Sequence, residues 1–116
     1  MSSMTILSAD LKACIDACYE CFRACAPAAT RCAEGGRAAL WRVLADCAAI
    51  CESTAGCIAR GSECCPTVCA CCVAVCERCA QACRQSGEKQ LLECAAACDR
   101  CAQSCAVVGR TTVTTR

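Results

Sequence analysis

The chain has 116 residues, of which 20 are cysteine, none is histidine, and Trp, Tyr and Phe occur once each. Twelve basic residues against eleven acidic ones leave a formal charge of +1, so there is no basic excess to hold the phosphates of a nucleic acid. Without histidine, a glycine-rich phosphate loop or a paired-carboxylate signature, an enzyme is disfavoured.

The opening segment, "MSSMTILSADLKAC", has no basic stretch followed by a long apolar run, so neither a secretory signal nor a membrane anchor is expected. No run of about 18 uncharged apolar residues follows, which argues against a transmembrane helix. A cytoplasmic location is expected, and there thiols stay reduced. Residues 1–7 read as a mobile N-terminus, with Met1 and Met4 as weak thioether candidates.

The first predicted helix covers residues 8–34. Cys14, Cys18, Cys21 and Cys25 recur at four, three and four residues, the spacing of one helical face, and Cys32 follows seven residues later. Asp16, Glu20 and Arg23 interleave that stripe on the opposite, polar side. Pro27 lies inside and is expected to kink the helix or divide it after Cys25.

Gly35-Gly36 marks the first break, and a second helix is predicted over 37–60. Its first half, "RAALWRVLADC", carries Leu40, Trp41, Val43 and Leu44, read as a hydrophobic plug at one end of the domain. Cys47 and Cys51 share a line, and Cys57 is displaced to its side.

Gly61-Ser62 is the second break. The third helix is predicted over 64–86, with Pro66 in its first turn, where the missing N–H is harmless. Cys65, Cys69, Cys72, Cys76, Cys79 and Cys83 fall within an arc of about 80° at 100° per residue, whereas Cys71 lies about 120° away. Cys71 is therefore expected to pack between helices or protomers. Ser86-Gly87 is the third break, and the fourth helix is predicted over 88–108. There Cys94, Cys98, Cys101 and Cys105 fall within about 60°. Gly109 and "TTVTTR" read as a mobile tail over 109–116.

Helices joined by such short links specify an all-α fold, an antiparallel up-down-up-down four-helix bundle over 8–108. Polar residues between the stripes face water, so the cysteines face the axis and form a tube of thiols. Helical neighbours hold Cβ atoms about 5–6 Å apart, farther than the 3.5–4.5 Å of a disulfide, which favours reduced thiols.

One or two buried cysteines would be ordinary small hydrophobes, but so many on shared stripes point to a soft metal. Thiolates held away from water need their charge cancelled. A monovalent soft cation at nearly one per thiolate does this locally, and sulfur favours Cu(I). Zinc is the second choice, because four unshared thiolates leave each site at about −2. An iron–sulfur cluster ranks third, its ligands usually coming from loops. A metal-dependent interaction or sensor protein, folded only when metal is present, is the alternative class.

The segments "CIDACYECFRAC", "LADCAAIC", "VCACCVAVCERCAQAC" and "CAAACDRCAQSC", with "ARGSE" between the second and third helices, resemble the bacterial copper storage proteins. The resemblance covers about residues 10–106 and implies a homotetramer that stores many Cu(I) ions inside each protomer, in the family's cytosolic branch. It also implies thiolate roles for Cys14, Cys18, Cys21, Cys25, Cys32, Cys47, Cys51, Cys69, Cys72, Cys76, Cys79, Cys83, Cys94, Cys98, Cys101 and Cys105. Expected partners are copper ions and a copper chaperone or low-molecular-weight thiol as donor, with no nucleic acid and no membrane. Family members usually carry histidines near the bundle's open end, and this chain has none. Cys57, Cys64 and Cys65 are the candidate replacements at that mouth.

Overall fold

A computed structural model describes the backbone of residues 8–114 and the side chains of residues 8–110. Residues 1–7, with Met1 and Met4, and residues 115–116 lie outside the described residues. Four helices make up the fold: α1 (Ala9–Glu34), α2 (Ala38–Arg60), α3 (Cys65–Ser86) and α4 (Lys89–Thr114). Alanine and long polar side chains, all good helix formers, fill most of the positions between the cysteines.

The ends of these helices follow local chemistry. Ser8 caps α1, its Oγ accepting from the Leu11 N–H at 3.2 Å, and Asp10 adds negative charge to the positive end of the helix. At the end of α2, Gly61 takes the left-handed conformation (φ 65°), and the Ser62 N–H donates to the Cys57 carbonyl at 3.0 Å, closing the last turn. Pro66 stands in the first turn of α3.

Short links force successive helices to run antiparallel. Each helix packs against two others, α1 on α2 and α4, and α3 on α2 and α4, so the four close into a ring measuring 50 × 20 × 19 Å. The starts of α1 and α3 and the ends of α2 and α4 share one end of the molecule, here the near end. The Gly35-Gly36 and Ser86-Gly87 turns share the far end.

Three expectations need correcting. Pro27 does not divide the first helix: α1 is continuous from Ala9 to Glu34. Buried Cys21 and Cys25 before the proline, and Ala28 and Ala29 after it, keep both halves packed in the bundle. The tail predicted from 109 onward instead continues α4 as far as Thr114. Gly109 is a packing glycine inside a helix, not a stop: a Cβ built there would stand 3.1 Å from the Cys69 Cβ, so α3 and α4 approach closely at this point. The plug at the far end is smaller than expected. Leu44 is fully buried and Leu91 joins it, but Leu40 and Val43 are half-buried and Trp41 is 42% exposed. An indole is too bulky for an interior packed from cysteine and alanine.

Surface ion pairs clip the ring from outside. Arg84 donates to Asp99 at 2.8 Å between α3 and α4, and Arg100 to Glu20 at 3.4 Å between α4 and α1. Arg37 pairs with Glu88 across the far-end turns. Among the described residues, no helix is long and apolar enough to cross a membrane.

Candidate metal centre

Inward stripes from four helices bring the sulfurs together on the bundle axis. Of the 20 cysteines, all are free, 17 are buried, Cys57 is half-buried, and Cys64 and Cys71 are exposed. The other interior positions hold mainly alanine, with Leu44, Ile58, Leu91 and Val108 towards the ends. Thr54 is the one buried polar residue among the described residues, and its hydroxyl donates to the Ile50 carbonyl at 2.7 Å within its own helix.

From the near end inward, the Cys14 and Cys105 sulfurs lie 3.6 Å apart, and Cys18 lies 3.8 Å from Cys105 and 3.7 Å from Cys101. Cys101 also stands 3.7 Å from Cys72, 3.8 Å from Cys51 and 4.0 Å from Cys105. Cys76 bridges to Cys72 and Cys51 at 3.8 Å and to Cys47 at 3.7 Å. Farther along, Cys21, Cys47 and Cys98 form a triangle with 3.6 Å sides, and Cys25 stands 3.8 Å from Cys98 and 4.0 Å from Cys21. Cys79, Cys83 and Cys94 extend the array beyond Cys25, and Cys69 joins Cys105 near the other end.

These separations exceed a disulfide bond, about 2.05 Å, by nearly a factor of two. They match the spacing of sulfurs around one metal ion. With a metal–sulfur bond of about 2.3 Å, neighbouring sulfurs stand ~3.8 Å apart in a tetrahedron and ~4.0 Å apart in a trigonal plane. Three nests of four sulfurs, each within 4.8 Å of one another, are preformed: Cys18, Cys72, Cys101 and Cys105; Cys21, Cys51, Cys76 and Cys101; and Cys21, Cys25, Cys47 and Cys98. Three helical i, i+4 pairs, Cys21–Cys25, Cys72–Cys76 and Cys101–Cys105, are in contact at 3.8–4.0 Å.

Packed thiols share protons, and the sharing splits their acidities. Cys14 is held at about 4, chiefly by the hydrogen bond from Cys105, and Cys94 at about 4, chiefly by that from Cys25. Cys101 is lowered to about 6, with Cys105 the main cause. Cys21, Cys69, Cys72 and Cys79 are also lowered by thiol donors, of which Cys101, Cys105, Cys101 and Cys25 respectively matter most. Their partners move the other way. Cys18, Cys51, Cys76 and Cys105 are raised chiefly by their bond to Cys101, and Cys25, Cys47 and Cys98 chiefly by theirs to Cys21. Cys83 is raised chiefly by Cys79, and burial raises Cys65. Burial adds to the rise of every one of these raised thiols.

The remaining sequence candidates stand apart from this array. Cys32 is buried at the far end, beside Arg31 and Leu91, with no sulfur in hydrogen-bond contact. Cys57, Cys64 and Cys65 cluster at the near end around the α2–α3 turn. Cys65 donates to the Cys57 carbonyl at 3.3 Å, and the Cys57 sulfur accepts from Arg60 at 3.7 Å. Cys71 faces outward and is exposed, so within the protomer it does not pack between helices. The corner positions of Cys21 and Cys101, each shared by two nests, escape sequence reasoning, because helical spacing orders residues along one stripe but says nothing of which stripes face each other.

The family model for copper storage proteins matches residues 7–109. The chain belongs to the copper storage protein family. No curated protein matches it. Two solved structures are similar. One is the Cu(I)-bound copper storage protein BsCsp3, with 30% identity and a TM-score of 0.78, over 84% of this chain and 96% of that one. The other is the Nmul_A1745 protein from Nitrosospira multiformis, with 34% identity and a TM-score of 0.77, over 92% of this chain and 97% of that one. As a family member with a cysteine-lined four-helix bundle, the chain is built for holding metal.

Proposed function

We propose that this member of the copper storage family holds many Cu(I) ions per chain, bound by the axial thiolates. One observation carries the reading above the others: three four-sulfur nests stand preformed and share corners along one axis. Each sulfur binds metal as a thiolate, and Cu(I) sets a positive charge beside it inside a medium where bare thiolates are costly. The ligands are Cys14, Cys18, Cys21, Cys25, Cys47, Cys51, Cys69, Cys72, Cys76, Cys79, Cys83, Cys94, Cys98, Cys101 and Cys105, while Cys32 stands apart at the far end. The protein stores and buffers metal and does not catalyse a reaction.

Four zinc-like sulfurs at tetrahedral spacing also suit Zn(II), but shared corners do not favour it. Filling every nest with Zn(II) would leave excess thiolate charge buried, whereas Cu(I) approaches one ion per sulfur.

The metal enters at the near end, where thiols run from exposed Cys64 through half-buried Cys57 to buried Cys65 and Cys69. Arg60 donates to the Cys57 sulfur there at 3.7 Å. A copper chaperone or a low-molecular-weight thiol acts as donor in the cytoplasm, where 20 unpaired thiols persist. The chain assembles as a homotetramer.

Titration of the reduced protein with Cu(I) and Zn(II) against competing chelators tests the reading. More than ten Cu(I) per chain are expected, on a bundle already helical without metal. One to four Zn(II) retained against Cu(I), or a chain unfolded without metal, would overturn it. The triple variant Cys57→Ser, Cys64→Ser, Cys65→Ser is expected to load more slowly while keeping most of its capacity. Unchanged loading, or capacity cut by half, would remove the entry route.

A further inference from the structure

The nests differ in shape. Cys21 on α1, Cys47 on α2 and Cys98 on α4 form an equilateral triangle of sulfurs with sides of 3.6 Å, and all three are fully buried. Cys18, Cys101 and Cys105 make a wider triangle, with sides of 3.7, 3.8 and 4.0 Å. An ion in a trigonal plane, with bonds of about 2.3 Å, needs sides of ~4.0 Å. An atom bonded at about 2.3 Å to all three sulfurs of the tighter triangle must instead stand ~1 Å out of their plane. That is a three-coordinate pyramid, the geometry of a trivalent centre that keeps a lone pair. Cys25, the fourth sulfur of this nest, is farther off, at 3.8 Å from Cys98 and 4.0 Å from Cys21. No Asp, Glu, Lys or Arg is buried among the described residues, so the interior offers a guest no countercharge besides sulfur.

We propose that the Cys21, Cys47 and Cys98 triangle is a binding site for trivalent arsenic, taken up as arsenous acid. Counted from the protonated sulfurs, three S–H and three As–O bonds break, three As–S bonds form, and three water molecules leave. Arsenic stays trivalent, so neither oxidant nor reductant is needed. The product has no net charge and avoids the penalty of an isolated buried ion. Three helices hold the sulfurs at bonding separation beforehand, so little conformational freedom is lost on binding. Exchange of hydroxyl for thiol is reversible, which lets the guest pass inward from the near-end sulfurs to the tightest set. Arsenic capture does not depend on the Cu(I) reading, and either can fail without the other.

Titration of the reduced, metal-free protein with sodium arsenite tests the site, read by native mass spectrometry and arsenic X-ray absorption. The first arsenic is expected to add its own mass less three hydrogens and to show three sulfur neighbours and no oxygen. Cys21→Ser, Cys47→Ser and Cys98→Ser are each expected to weaken its retention against a competing dithiol by about a hundredfold, the scale on which one arm of a linked multidentate site contributes. Cys25→Ser and Cys83→Ser are expected to retain it as the wild type does. A first arsenic that keeps oxygen, or indistinguishable behaviour of triangle and control variants, would overturn the site. Low Cu(I) capacity alongside intact arsenic capture would instead count against copper storage alone. Circular dichroism of each metal-free variant checks the fold, and Cys21→Ala, Cys47→Ala and Cys98→Ala repeat the comparison if a buried serine hydroxyl unfolds the bundle.

Discussion

The middle of the bundle and its two ends are built from different materials on the same scaffold. Between Cys14 and Cys94 the interior is almost continuous sulfur, with neighbours at 3.6–4.0 Å and alanines filling the remaining space. Towards the far end Leu44 and Leu91 are buried, and towards the near end Ile58 and Val108 are. Apolar burial at the ends supplies stability that needs no metal. The middle contributes little of that kind per residue, since a thiol is small. What it adds is a row of ligands already at coordination distance. A stable frame at the ends is what allows the middle to stand open to cargo.

That division can be probed first through protons. Eight array thiols and Cys65 are raised by thiol hydrogen bonds or burial, so the folded chain keeps protons that the unfolded chain releases as pH climbs past about 8.5. Their stabilisation is complete below the unfolded value and is lost as pH rises towards the folded ones. Thiols that are lowered, such as Cys14 and Cys94, are ionised in both states above that pH and do not offset the loss. Metal-free protein should therefore lose stability between pH 8.5 and 10 at about 1.4 kcal/mol per pH unit for each proton retained, in excess of the unfolded chain. Denaturant unfolding followed by circular dichroism measures this, and a flat profile would mean the middle does not hold its thiols as described.

The ends are probed by Leu44→Ala. Removing a fully buried leucine is expected to destabilise the metal-free bundle by about 2–5 kcal/mol, while Cu(I) capacity at saturation stays unchanged. A drop in capacity comparable to that of a cysteine variant would show that the frame and the cargo space are not separate.

Much of this frame and its lining is legible in the amino-acid sequence alone. The 4-3-4 recurrence of cysteine and the three glycine-marked breaks fix four helices, their order and their inward faces, because both depend only on local geometry. Three features escape that reading for reasons of contact between helices. Pro27 reads as a break, yet packing on both sides carries the helix through it. Gly109 reads as a stop, yet it serves the close approach to Cys69. Trp41 reads as core, yet the interior is too narrow for an indole. The division of sulfurs into nests also depends on which stripes meet and at what height, which no single helix encodes. Cys71 is separable by angle alone, and its exposure agrees with its off-stripe position.

The central claim is that the axial thiolates hold the metal. A crystal structure of the Cu(I)-loaded protein, with anomalous scattering recorded on both sides of the copper absorption edge, tests it most directly. A file of copper peaks along the bundle axis, between the levels of Cys14 and Cys94 and touching the sulfurs of Cys21 and Cys101, is the predicted result. Copper confined to the surface around Cys57, Cys64 and Cys71, or axial sulfurs joined pairwise as disulfides, would contradict it.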